Sequence, residues 1–174
     1  MITRIKVSKY FHLDEFVDPH TYFKDVDRGL SKVDKRLFAI ADLMREKLGK
    51  PLAINNWWRF YQNNIEEDID SVIEQIEQSR LSKWSGIRTA RCTIGAQGSA
   101  HRLGRAIDPK GNEVEMYEIL KENLKQFYDL GVRRIEDPDI TKGWLHIDTH
   151  ELNFTPNRIR VVGLRTLKEV LIVK

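Results

Sequence analysis

Trp144-Leu145-His146-Ile147-Asp148-Thr149 decides the fold, because it alternates apolar and polar residues with the period of two that belongs to an extended strand. On such a strand Leu145 and Ile147 face a core, while His146 and Asp148 point together to the opposite side. A titratable pair on one face of an otherwise apolar strand is costly unless it does something. Upstream, Val132-Arg133-Arg134-Ile135-Glu136 also has strand character, and Asp137-Pro138-Asp139 supplies a turn. The two pieces are therefore expected to be neighbouring antiparallel strands.

Working outward, residues 158–162 and 170–173 read as further strands. Residues 30–48 carry Val33, Leu37, Ile40, Ala41, Met44 and Leu48 at three- and four-residue steps, with Ser31 and Asp34 as a cap pair and Gly49 as the stop; this predicts one helix. Residues 51–56 predict a short strand entering a loop where Trp57, Trp58, Phe60 and Tyr61 surround Arg59. That cluster is either a stacking rim for sugar or peptide or a loop packed on the core. A second helix, over about 64–82, is expected after the Asn63-Asn64 cap signal, with Ile65, Ile69, Val72, Ile73 and Ile76 on one side and a solvated acidic face on the other. Residues 89–98 read as a loop, and residues 113–130 as a third helix with Val114, Leu120, Leu124, Phe127 and Leu130 inward and Gly131 as its stop. Trp84 and Trp144 are assigned to the core beside the strand pair. Helices around a small antiparallel sheet make an α+β fold. At 174 residues, one domain spanning 1–174 is expected, because a second core would be too small.

The charges narrow the partners. With 29 Lys+Arg against 26 Asp+Glu, scattered along the chain, the sequence lacks the clustered basic surface of a nucleic-acid binder or nuclease, and no nucleic-acid partner is expected. The mild positive balance would still let the protein approach an anionic polymer without repulsion. The single cysteine, Cys92, excludes an internal disulfide and reads as a small packed thiol. The first residues, Met1-Ile2-Thr3-Arg4-Ile5-Lys6, lack the apolar core of a signal peptide, and no stretch reaches the length of a membrane span. A chain made in the cytoplasm, unexported by itself and monomeric, is expected.

A second motif precedes the strand pair: Ser99-Ala100-His101-Arg102-Leu103-Gly104-Arg105-Ala106-Ile107-Asp108, in which His and Asp stand seven apart and Gly104 and Ala106 suit a tight backbone near a metal. Two histidines and a carboxylate from two separated segments match an open Zn²⁺ site, in which three N/O ligands leave a fourth position for water. Zinc so held lowers the pKa of water towards about 7 and polarises a scissile carbonyl, the chemistry of a hydrolytic metalloenzyme. Arg88 offers a planar fork suited to a carboxylate.

Ser-x-His-x-x-Gly-x-Ala-x-Asp followed by Trp-x-His-x-Asp resembles the peptidase M15 family of zinc D-Ala-D-Ala carboxypeptidases and phage endolysin peptidases. Ser85-Gly86-Ile87-Arg88 resembles the Ser-Gly-aromatic-Arg strand of that family, and Phe11-His12-Leu13-Asp14-Glu15-Phe16 its opening segment. The resemblance implies that His101, Asp108 and His146 are zinc ligands, that Arg88 holds a substrate carboxylate or carbonyl, and that Ser99 sits beside the metal. It also implies a zinc site on the sheet and a bacterial peptidoglycan peptide as substrate. The protein would then be phage-encoded, and would reach the cell wall through a holin pore or on a virion.

The chain departs from the family at the base. Many members carry a Glu three residues before the last ligand or a His two before it; here those positions are Gly143 and Trp144, and neither accepts a proton. The acids left are Glu136 on the neighbouring strand and Asp148 on the same face as His146. Glu136 is assigned the general base or acid and Asp148 the orientation of a ligand, with the exchange of roles left open. His150, four residues beyond His146, is an alternative ligand or an exposed strand-end histidine, while no spacing singles out His12 or His20. The reading is an α+β zinc metallopeptidase, and the alternative is a domain of the same fold that has lost hydrolysis and binds wall peptide or a partner protein.

Overall fold

The alternating stretch becomes the heart of a five-stranded sheet. The computed structural model describes residues 2–65, 67–89, 92, 98–150, 156–163 and 167–174; of the loop expected at 89–98, residues 90, 91 and 93–97 lie outside the described residues. Strand β1 is Ala106–Ile107, β2 Arg134–Glu136, β3 Ile147–Asp148, β4 Arg158–Val162 and β5 Leu167–Ile172, in the spatial order β1-β3-β2-β4-β5. The expected pairing of the two central pieces is present: β3 runs antiparallel to β2 through Arg134↔Asp148 and Ile135↔Ile147, and antiparallel to β1 through Ile107↔Ile147. The sheet is mixed rather than wholly antiparallel, because β4 lies parallel to β2 while β5 folds back on β4. With both edges of β3 taken, β4 adds to the outer edge of β2, a direction that an alternating pattern does not encode.

Among the described residues seven helices accompany the sheet: α1 Pro19–Lys24, α2 Val26–Lys32, α3 Arg36–Leu48, α4 Trp58–Asn63, α5 Ile69–Gln78, α6 Glu113–Glu122 and α7 Leu124–Asp129. The class is α+β, as the pattern predicts. Single helices in the sequence reading become pairs. Residues 30–48 break after Lys32, where the Asp34 carboxylate accepts from the Arg36 N–H and its own N–H donates to the Gly104 carbonyl. Ser31 lies inside α2 instead of capping α3, and Gly49 ends α3 in the left-handed conformation expected of it. Residues 113–130 break at Asn123, whose side-chain amide donates to the Ile119 carbonyl. Val114 is half exposed there, and Met116 and Tyr117 take the inward places. Asn63 and Asn64 close α4, and Asp68 caps α5 by accepting from the Asp70 and Ser71 N–H groups.

Residues 51–56 make only an isolated bridge, Ala53 to Lys110, in place of the expected strand. Trp57, Trp58 and Tyr61 are buried in one aromatic cluster with Tyr22 and Phe23, which makes that segment core. Among the described residues no helix is long and apolar enough to cross a membrane.

A relay of backbone contacts ties the N-terminal segment to the sheet. The turn Leu13–Glu15 presents the Glu15 carbonyl to the Asn55 N–H, the Asn55 amide oxygen accepts from the Ser85 N–H, and the Ser85 carbonyl accepts from the Asp108 N–H at 2.7 Å. Within that turn burial pushes the Glu15 carboxyl up to about 7, against the stabilising His12 N–H. A carboxyl whose folded pKa lies above its unfolded value near 4.5 gives stability that is complete below that value and is lost as pH rises through 7. Urea unfolding should show wild-type stability falling by about 3 kcal/mol more than that of Glu15→Gln between pH 4.5 and 8. Parallel pH profiles for the two proteins would refute this.

Candidate metal centre

Register brings the chemistry to one face of the sheet. Ile107, Ile147 and Ile135 stand side by side on three adjacent strands and are fully buried. Their neighbours therefore turn to the opposite face, with Asp108 on one flank of His146 and Glu136 on the other. The Glu136 N–H donates to the His146 carbonyl at 3.1 Å, which fixes this side-by-side placement. Arg134 and Asp148 are the next pair along the same two strands.

His101 comes from the turn before β1 and is positioned from below by the Ser85-Gly86-Ile87-Arg88 segment. Its Nδ1–H donates to the Gly86 carbonyl at 2.6 Å, and its own carbonyl accepts from the Arg88 N–H at 3.1 Å. A Cβ on Gly86 would lie 2.1 Å from the Phe16 carbonyl oxygen, so only glycine lets this segment pass. Gly104, at φ 68°, would place a Cβ 2.0 Å from the Lys32 carbonyl oxygen. The requirement for a small residue at 104 thus comes from the end of α2, not from crowding at the metal as the motif suggests.

Three acceptor atoms converge in the middle of this arrangement. His101 Nε2 and His146 Nδ1 stand 3.1 Å apart, His101 Nε2 is 3.1 Å from Asp108 Oδ1, and His146 Nδ1 is 2.9 Å from the same oxygen. The tautomers follow from the outer bonds: His101 donates through Nδ1 to Gly86, and His146 donates through Nε2 to Asp148 Oδ2 at 3.2 Å. In their neutral forms both histidines therefore aim lone pairs at a carboxylate oxygen and at each other. Three lone pairs meeting at one point call for a cation, and the buried His101, Asp108 and His146 could hold a metal ion.

The surrounding charges agree. Burial is the strongest influence on His101 and lowers its pKa. Burial also opposes charge on His146, but hydrogen bonds to Asp108 and Asp148 outweigh it and raise that imidazole to about 10. Against the cost of burial, the histidine contacts hold the Asp108 carboxyl far below the usual carboxylate range, and His146 with Arg134 does the same for Asp148. Two buried carboxylates thus stay ionised around a point that favours positive charge.

The cluster opens on a cleft of about 490 Å³ lined by Arg88, Ser99, Glu136 and Trp144 together with the three acceptor residues. Arg88 donates from Nη2 to Asp108 Oδ2 at 3.3 Å. Asp148 is fully buried behind His146, accepts from Arg134 Nε at 2.5 Å and from the His150 N–H, and has no surface on the cleft. His150 stands outside the cluster, with Nδ1 at 3.5 Å from Arg105, and Trp84 and Trp144 are only half-buried instead of core residues. The sequence reading passes over Arg134, which also lines the cleft. Its signal is the alternation it shares with Glu136: two residues apart on one strand, they must face the same way.

No family model, no curated protein and no solved structure matches the chain, so the functional reading rests on these residues and on the motif spacing.

Proposed function

We propose that the protein is a zinc-dependent peptidase that hydrolyses a peptide bond in the stem or cross-link peptides of bacterial peptidoglycan, and that it is phage-encoded. The observation that carries the reading is the convergence of His101 Nε2, His146 Nδ1 and Asp108 Oδ1, each within 3.1 Å of the other two. Two imidazoles and one carboxylate are the open-site ligand set of zinc, and ligands about 2.05 Å from a tetrahedral ion lie roughly 3.3 Å apart, close to the separations of the three atoms. When bound, zinc supplies Lewis acidity, polarising a scissile carbonyl and acidifying water.

The chain's own groups supply the rest. Glu136, half-buried at the cleft beside His146, takes a proton from the attacking water and returns it to the leaving amine. Asp148 keeps the His146 ring in the tautomer that aims Nδ1 at the cluster, as a carboxylate behind a ligating histidine does. The guanidinium groups in the cleft favour an anionic peptide, and wall stem peptides carry free carboxylates. That substrate class follows from the M15 resemblance.

Incubation of purified muropeptides with the protein and Zn²⁺, followed by mass spectrometry, tests the proposal. The expected result is a pair of fragments whose masses sum to the parent plus one water, and their identity names the bond. An unchanged muropeptide profile with zinc demonstrably bound would favour the binding-domain alternative.

A further inference from the structure

Among the described residues two guanidinium groups face the cleft, and their hydrogen bonds leave them differently equipped. Arg88 donates from Nε to the Trp84 carbonyl at 3.1 Å and from Nη2 to Asp108 Oδ2 at 3.3 Å. Two of its five N–H donors are thus in use, one on Nε and one on Nη2. A substrate carboxylate approaching Nη2 of Arg88 would compete with Asp108 for that group. Arg134 donates only from Nε, to Asp148 Oδ2, and among the described residues its two terminal nitrogens make no bond. Its side chain is 30% exposed against 17% for Arg88.

We infer that Arg134, and not Arg88, takes the carboxylate of the substrate, and that Arg88 is a positioning residue for Asp108. The inference rests on the peptidase reading and names the specificity element of that site. A planar fork with both end nitrogens free matches the two oxygens of a carboxylate, and its orientation is already set by a fully buried partner. That partner does not cancel the attraction, because Asp148 also accepts from the His146 ring and from the His150 N–H. Along β2, Arg134 and Glu136 are two residues apart, about 6.6 Å in a strand. A carboxylate held by Arg134 therefore falls within about one residue of the bond that Glu136 serves, the place of the free end of a short peptide or of an acidic side chain next to the cut. Arg88 acts from the other side, where its bond to Oδ2 leaves Asp108 Oδ1 turned towards the two histidines.

Calorimetric binding to the zinc-loaded protein tests this, using a non-hydrolysable reduced-amide isostere of D-alanyl-D-alanine with a free carboxylate and the same compound as its carboxamide. The wild type should prefer the carboxylate by about tenfold to a hundredfold, the usual yield of a charge-assisted bidentate contact. Arg134→Gln should bring the preference close to one. Arg134→Lys, which keeps a cation beside Asp148 but has no fork, should lose most of it. Arg88→Gln should keep the preference while its zinc affinity falls about 10–100-fold, with recovery in Arg88→Lys. The inference is overturned if neither probe binds the wild type, if the wild type shows no preference, or if the preference disappears in Arg88→Gln and survives in both Arg134 variants. Hydrolysis of muropeptides without carboxylate preference would leave the peptidase reading standing and this inference refuted. Preference without hydrolysis would do the reverse.

Discussion

Replacing His101 by Ala should abolish metal binding: the wild type, loaded and desalted, should carry one equivalent of zinc and the variant almost none. Three converging acceptors make the site, and His101 contributes one that contacts both others at 3.1 Å. Without it, Asp108 and His146 remain, and two ligands cannot close three corners of a tetrahedron. Thermal unfolding gives a second readout. A ligand that binds only the native state stabilises it by about 4 kcal/mol at a thousandfold excess over its Kd, so chelation should lower the wild-type Tm by several degrees and leave His101→Ala unmoved. The variant also loses the bond to the Gly86 carbonyl, so its own Tm should already lie below that of the chelated wild type. Stoichiometric zinc in His101→Ala would remove the proposed centre, whatever the activity.

Much of that centre is legible in the sequence because it rests on covalent geometry. His146 and Asp148 share a face since alternate residues of any strand do, and the strand assignment follows from Leu145 and Ile147, both fully buried. The neighbouring strand is legible for the same reason, and with it the placement of Glu136. What pattern reading misses is made by contacts from far along the chain. Val33 keeps the apolar spacing of a continuous helix, so the break after Lys32 leaves no mark on the periodicity; it is formed by the Gly104 carbonyl and by the Thr149 hydroxyl, which donates to Asp34 at 2.7 Å. The parallel pairing of β4 with β2 is equally silent, since a strand's residue pattern does not reveal its neighbour's direction. For Arg88 the sequence reading supplies a guanidinium near the motif but not the fact that Trp84 and Asp108 already occupy two of its donors. Occupancy of donors is a property of the packed site.

The sharpest test of the chemistry is Glu136→Gln, which should keep zinc and fold but lose about 10²–10⁴ of the wild-type turnover. The substitution is nearly isosteric, the residue's backbone bond to His146 is untouched, and no ligand atom is altered. Only the capacity to accept and return a proton disappears. The two other candidate positions, Gly143 and Trp144, carry no such capacity, and Asp148 meets the far nitrogen of His146 rather than the cleft. Asp148→Asn should therefore fail differently: it weakens the hold on the His146 ring and the ion pair with Arg134, and lowers zinc affinity by about 10–100-fold. Excess zinc should restore much of its turnover, and should restore none in Glu136→Gln. A Glu136→Gln protein that cleaves wall peptide at the wild-type rate would show that the proton passes through another group. Rescue of that variant by excess zinc would mean that Glu136 supports the metal instead of the proton transfer.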